Sequence, residues 1–341
     1  MSLEKFLHAS DQAASYLASQ VGPDGALLDQ NVSGDLCSQY KLVTLLLISG
    51  HSLEGQRLME RIKRDFLQTD GDFVSFPEKS GRERKSSSFP MSHFWIYMNN
   101  WIAMGAHRSG RFDISVPAYN FSKSFYNTEL KAVCVTEKFT EITEESTMDC
   151  LSTSHFGLLS LYMGDINTAK DCGETLLYFI KAQPNIEKEL LLRMSAKTGS
   201  LLTANPDNME PFYKIKKDSP NQLYFFLGYH SIFMTKLYQA TQDTRFLDSA
   251  VQILDFSLTC HESMFSFSFS HKVAYAAALV ATETKDDKYK QMAIRICEFL
   301  LSIQTDNGLF GKDFEPVDKY DQSAEIAIWL RETASELSRK T

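Results

Sequence analysis

The feature that most limits what this chain can fold into is an alternation of two kinds of helical segment. One kind is apolar on nearly every side: 35–49, 93–106, 149–163, 222–237, 271–281 and 321–330. A helix without a wet face must be covered all round. The other kind is amphipathic. In 288–303, Tyr289, Met292, Ala293, Ile296, Leu300 and Ile303 recur at helical spacing, while Lys288, Lys290, Arg295 and Glu298 hold the opposite face. Amphipathic segments follow the first five apolar ones, at 53–67, 115–128, 167–182, 245–259 and 287–303. In the second of these, Pro117 permits a helix only from about that residue onward. The sixth apolar segment has no follower, but 3–20 is amphipathic and precedes the first. Segment 3–20 is therefore expected to pack beside 321–338. The expectation is one all-α domain over 1–341: an (α/α)6 barrel of six inner and six outer helices, with the N-terminal helix closing the ring.

The loops give this ring a direction. Turns from inner to outer helices are short. Connections from outer to inner helices are long, at 21–34, 68–92, 129–147, 183–219, 260–270 and 304–320. Long connections gather at the end bearing the amino termini of the inner helices, where loops carry function and helix dipoles favour carboxylates and anions. The 183–219 connection is expected to hold a small β-hairpin, 190–196 with 200–204, turned at Lys197-Thr-Gly.

Composition bounds the chemistry. With 43% hydrophobic and 23% charged residues, the 341-residue chain is globular rather than disordered. A formal charge of −8 argues against a nucleic-acid partner. The run 42–48 is too short to span a bilayer, and Met1-Ser-Leu-Glu opens no secretory signal. Cys37, Cys134, Cys150, Cys172, Cys260 and Cys297 are scattered, with no C-x-x-C pair and no ligand spacing. Reduced thiols, a cytoplasmic location and no bound metal are expected.

Three joints between outer and inner helices echo one another: Gln20-Val-Gly-Pro-Asp-Gly-Ala, Gln68-Thr-Asp-Gly-Asp-Phe and Gln304-Thr-Asp-Asn-Gly-Leu-Phe. They look like degenerate versions of the glutamine–glycine–aromatic repeats of squalene cyclases. Taken with the alternating helices, the chain resembles the α/α-toroid superfamily of terpenoid cyclases and protein prenyltransferases. The resemblance implies an architecture and a cavity, but no catalytic residue. The D-x-D-D motif of class II cyclases is absent. Its nearest counterpart is Thr147-Met-Asp149-Cys, and Asp286-Asp287 falls in a short turn. Sugar epimerases of the acylglucosamine type, and several glycoside hydrolases and lyases, share the barrel.

Candidate catalytic residues follow from position. His93 and His271 open inner helices on the loop side, where a near-neutral pKa suits acid–base work. Asp149, Asp321 and Glu325 lie at the same level. Asp321 and Glu325 are spaced i, i+4, so burial of their shared face should push one pKa up. Asp35 and Asp321 also suit helix caps, whereas Asp149 follows Ser146 and Thr147, themselves good caps. Asp35, Trp95, Trp101, His155, Tyr224, His230 and Tyr275 are candidate substrate-binding residues. Lys272 beside His271 stands where a Schiff-base lysine would, with nothing else pointing that way.

The leading expectation is a cofactor-free cyclase or isomerase of secondary metabolism. It would use acid–base chemistry on a small, largely apolar, terpenoid- or polyketide-like substrate in an aromatic-lined cavity, as a monomer or homodimer. The alternative is a carbohydrate-active enzyme: an epimerase with a histidine pair, or a hydrolase or lyase with two carboxylates. A non-catalytic ligand-binding toroid is the second alternative. A cavity lined mainly by Phe and Leu would favour the first, a wet cleft with several exposed carboxylates and arginines the second, and a lumen plugged by side chains the third.

Overall fold

The computed structural model describes residues 3–339. Its helices are α1 (Glu4–Ser19), α2 (Leu42–Ile48), α3 (Ser52–Asp65), α4 (Phe89–His93), α5 (Tyr97–Arg108), α6 (Phe112–Lys123), α7 (Cys150–Tyr162), α8 (Ile166–Lys181), α9 (Phe225–Thr241), α10 (Thr244–Thr259), α11 (His271–Thr284), α12 (Asp287–Ser302) and α13 (Pro316–Leu337). Two compact units form: Met1–Ser124 with Leu301–Arg331, and Phe125–Leu300 with Glu332–Thr341.

In the first unit α2, α5 and the first turns of α13 are the inner helices, and α1, α3 and α6 the outer ones. Burial separates the two kinds as the sequence pattern requires. Every residue of α5 from Tyr97 to Ala106 is buried, whereas α3 buries only Gly55, Leu58, Met59 and Ile62. α2 pairs with α3, α5 with α6, and α2 lies beside α5. α1 meets α13 as expected, through an Asp11–Arg331 ion pair, and Gln304 Nε2 donates to the Ala9 carbonyl at 2.8 Å.

The repeated joints are repeated structures. Each closes a small bridge: Val21 with Leu27, Leu67 with Phe73, and Gln304 with Phe310. At each, a glycine rests on the backbone of another outer helix. A Cβ at Gly25 would lie 2.1 Å from the Arg57 carbonyl oxygen on α3; at Gly71, 2.3 Å from that of Pro117 on α6; at Gly308, 2.9 Å from that of Gln12 on α1. With φ of +84° at Gly25 and +87° at Gly308, these positions also need left-handed backbone. The motif is thus a turn that docks on an outer helix.

The second unit holds inner helices α7, α9 and α11 and outer helices α8, α10 and α12. α9 packs on α7, α10 and α11. Short ladders cover the connections: β1 (Tyr126–Asn127) with β2 (Ala132–Val133), β3 (Thr147–Asp149) with β5 (Arg193–Ser195), and β4 (Glu189–Leu191) with β6 (Lys214–Lys216). The expected hairpin is present in short form: Met194 bridges Leu201, Ser195 N donates to the Ser200 carbonyl at 3.0 Å and Leu202 N to the Arg193 carbonyl at 2.9 Å. Residues 190–194 are all buried, and 189–195 also takes strand partners from 147–149 and 214–216.

Four inner helices differ from their expected bounds; the one expected at 222–237 runs Phe225–Thr241. Segment 35–49 starts as a 3-10 turn, Leu36–Ser38, before α2. There Ser38 and Gln39 side chains bond the carbonyls of Val32, Asp35 and Ser33, competing with helical bonding. Segment 93–106 breaks between α4 and α5, where Phe94 leaves helical space at ψ +74°. Segment 321–330 lies inside α13, which Pro316 opens. Among the outer helices, α6 begins at Phe112, ahead of Pro117, and loses only one backbone bond for it. Among the described residues no helix is long and apolar enough to cross a membrane.

Candidate functional site

In the first unit a lysine and two carboxylates meet out of water. Lys41 precedes α2 in a largely apolar stretch and is 2% exposed. Its ammonium lies 2.8 Å from Asp321 Oδ1 and also pairs with Glu325 Oε2. Asp321 and Glu325 sit one turn apart on α13, as their spacing requires. Glu325 Oε1 accepts from the Tyr97 hydroxyl at 3.1 Å and from the Trp329 indole N–H at 3.2 Å. Asp321 Oδ2 accepts from Gln322 Nε2 at 2.7 Å. The rings of Tyr40 and Tyr97 stand 4.9 and 5.4 Å from the ammonium. One turn further along both helices, Trp101 meets Trp329 edge-on at 5.8 Å.

The electrostatics are unequal. Two carboxylates face one ammonium, so one negative charge is left over. Burial works against the Lys41 ammonium, but Asp321 and Glu325 together outweigh it and hold its pKa above the usual lysine value. Burial raises the Asp321 carboxyl; Lys41 opposes the rise and Glu325 adds to it. Glu325 already receives an ammonium, a hydroxyl and an indole N–H, so its charge is the better satisfied. Asp321 is the carboxyl that burial pushes up. Two carboxylates in different surroundings take different roles, one a fixed anion and one a group that gains and loses a proton.

The other first-unit candidates serve the loops. Asp35 caps the 3-10 turn, accepting from Cys37 N at 2.9 Å. It also accepts from Ser87 N at 2.8 Å, Ser87 Oγ at 2.6 Å and Ser86 Oγ at 2.9 Å. It thereby fastens the 68–92 connection. Trp95 donates its indole N–H to Asp72 Oδ2 at 3.1 Å, and Asp72 Oδ1 holds buried Lys85 at 2.6 Å. His93 ends α4 rather than opening an inner helix. Its Nδ1 lies 3.1 Å from Arg82 Nη1; a guanidinium can only donate, so this nitrogen is the unprotonated one.

In the second unit Asp149 is the cap of α7, accepting from Ser152 N at 2.6 Å. Thr147 is taken up by β3, so the cap that sequence placed earlier falls to Asp149. Register pairs Asp149 with Arg193, whose guanidinium lies 3.9 Å from Oδ2. Burial raises the Asp149 pKa, against the pull of Arg193. His271 does open α11. Its Nδ1 donates to the Ser268 carbonyl, which leaves Nε2 to accept from Lys272 Nζ at 2.8 Å. Lys272 stands 5.6 Å from the Tyr229 ring, which meets His155 edge-on at 5.0 Å. His155, Tyr229, Lys272 and His271 thus form one contiguous group.

His230 turns outward to Ser249 Oγ on α10 at 2.9 Å. Burial lowers its pKa to about 3, so it is a neutral packing residue. The Tyr224 hydroxyl binds Ser263 Oγ at 3.1 Å and so holds a loop. Tyr275 packs beneath Lys236, 5.8 Å away. Sequence reasoning missed Lys41 and Arg193. An isolated charge in an apolar stretch demands a partner, and that rule alone would have singled out Lys41. Among the described residues no cluster of His, Cys, Asp and Glu is arranged to hold a metal.

Solved structures share the fold. A D-mannose isomerase superposes with a TM-score of 0.64, covering 96% of this chain and 97% of that one at 11% identity. The GH76 alpha-mannanase of Bacteroides thetaiotaomicron gives 0.65, with 97% and 96% covered at 12% identity. An inactive variant of the alpha-1,6-mannanase GH76A of Salegentibacter sp., with two consecutive aspartates replaced by asparagine and alpha-1,6-mannotriose bound, gives 0.62, with 97% and 99% covered at 11% identity. No protein-family model and no curated protein sequence matches the chain. Likeness at these identities establishes the fold, an (α/α)6 toroid, as the helix pattern predicts. These neighbours are carbohydrate-active. The expected likeness to terpenoid cyclases holds for the toroid and goes no further.

Proposed function

We propose that this protein is a carbohydrate-active enzyme that moves a proton on a monosaccharide, as an aldose–ketose isomerase or epimerase. The carrying observation is the buried pair Asp321 and Glu325 around Lys41, in which Glu325 is bonded by an ammonium, a hydroxyl and an indole N–H while burial pushes the Asp321 carboxyl above its ordinary value. A carboxylate made more basic by burial is the kind of group that enolisation of a sugar needs. In this reading the Asp321 carboxylate removes the proton on the carbon next to the carbonyl of the open-chain sugar. The electron pair moves to the carbonyl oxygen and gives an enediolate. Lys41 supplies fixed positive charge beside it, preorganised by Glu325 and Tyr97. Return of the proton to the former carbonyl carbon, with the hydroxyl proton passing from the second oxygen to the first, yields the ketose; return to the opposite face of the carbon that lost it restores the carbonyl and yields the epimer.

Hydrolysis is the less favoured course. A two-carboxylate glycosidase places its acids on either side of the scissile bond, whereas Asp321 and Glu325 share one ammonium. The single pair of consecutive aspartates in this sequence, Asp286 and Asp287, falls at the start of α12, with Asp287 its first residue. The cyclase reading is weakened by the charged, hydrogen-bonded character of the cluster. The test is incubation with D-mannose, D-glucose and D-fructose in D2O, followed by proton NMR. Deuterium entering C1 or C2 as sugars interconvert supports proton transfer. Cleavage of α-mannosides with no carbon-bound exchange overturns it in favour of a hydrolase.

A further inference from the structure

We infer that Asn100 is a hydroxyl-recognising anchor for the sugar, an inference that rests on the carbohydrate reading above. Asn100 lies on inner helix α5 and is fully buried. Neither its amide nitrogen nor its amide oxygen has a hydrogen-bond partner among the described residues. Asn99, its neighbour, shows the contrast. The Asn99 amide donates to Asp72 Oδ1 at 3.1 Å, and its oxygen accepts from Lys85. A buried carboxamide carries two donors and an acceptor oxygen, and leaving them unmet is expensive enough to be rare in native proteins.

The position of Asn100 says what should meet it. It follows Tyr97 by three residues, so the two share a face of α5. Tyr97 donates to Glu325 at 3.1 Å. Asn100 is therefore at the next turn, level with Trp101, whose ring meets Trp329. A buried, unmet carboxamide one turn along α5 from the tyrosine that binds the carboxylate pair suits a vicinal diol. Its NH2 donates to one hydroxyl oxygen while its carbonyl accepts from the neighbouring hydroxyl. A terpenoid hydrocarbon offers neither group, so the residue also bears on substrate class.

The experiment compares wild type, Asn100→Leu and Asn100→Asp. Leucine keeps the volume and removes the polar atoms; aspartate keeps the shape and removes the donors. Each is read by thermal melting and by isothermal titration with D-mannose and D-fructose. Expected are a leucine variant that melts no lower than wild type, and sugar affinity at least about tenfold weaker in both variants, since a site built to bond a hydroxyl discriminates strongly. If the rate is measured, KM rises with little change in kcat. A variant that binds sugar like wild type overturns the anchor and leaves the carbohydrate reading standing. A lower melting temperature in the leucine variant with affinity unchanged assigns Asn100 to structure and also overturns it. Wild type that binds neither sugar overturns the carbohydrate reading itself, and the anchor with it.

Discussion

Replacing Lys41 with methionine removes the sole ammonium shown between Asp321 and Glu325 while keeping the length of the side chain. At 2.8 Å, and with an effective dielectric of about 20, the gross attraction to one carboxylate is roughly 6 kcal/mol. Most of that is offset by desolvation. What matters is the buried charge left behind, and breaking such a pair typically costs about 3–5 kcal/mol. Domains of this kind are stable by only about 5–15 kcal/mol. The loss should depend on pH. Asp321 already sits above its unfolded pKa, so protonation favours the folded state. That contribution is full below the unfolded value near 4 and is lost as pH rises through the folded value. Without Lys41 the Asp321 carboxyl loses the charge that opposes its rise, so its window widens upward. Urea denaturation at pH 5 and pH 8 should therefore show Lys41→Met strongly destabilised at pH 8 and partly recovered at pH 5. Adding Glu325→Gln should restore part of the loss. A cost below about 1 kcal/mol, equal at both pH values, would refute the reasoning.

Gly25→Ala should destabilise by clearly more than the roughly 1 kcal/mol of left-handed strain, because its Cβ would meet the Arg57 carbonyl at 2.1 Å. Gly50→Ala, at φ +88° with nothing within 4 Å, should lose only that strain, and equal urea midpoints for the two variants would contradict the docking role of the joint. His230 stays neutral in the native state down to about 3, while the unfolded chain protonates it near 6.5. Native stability should fall as pH drops from about 6.5 toward 3, by up to about 1.4 kcal/mol per unit from this group. His230→Gln should flatten the urea midpoint against pH between 6 and 4, and an unchanged slope would count against a buried neutral imidazole.

Much of this molecule is legible in its sequence because burial leaves a periodic mark. Inner helices bury every side and outer helices one, so 97–106 and 52–65 differ visibly in their residues before any coordinate is known. The joint motifs were readable for a related reason. A turn that must place Gly25 against the Arg57 backbone tolerates no side chain there, so the glycine recurs. The i, i+4 spacing of Asp321 and Glu325 put them on one face. Nothing local, however, brings Lys41 to them across 280 residues and more of chain. Helix starts were the weak point. Ser38 and Gln39 bond backward to carbonyls, and Asp149 takes the cap that Ser146 and Thr147 could have filled. Such choices depend on what the flanking strand does. His230 shows a further limit, since an apolar helix does not declare which face looks inward, and this imidazole turned to α10.

The central claim is that Asp321 carries the proton in a sugar isomerisation, and solvent exchange measures that proton directly. The wild type, Asp321→Asn and Glu325→Gln would be incubated with D-mannose and D-fructose in D2O, with carbon-bound deuterium followed by NMR and folding checked by melting. The wild type should place deuterium at C1 or C2 as the sugars interconvert. Asp321→Asn should lower that rate by about 10²–10⁴-fold in a folded protein. Exchange in Asp321→Asn as fast as in the wild type would contradict the account.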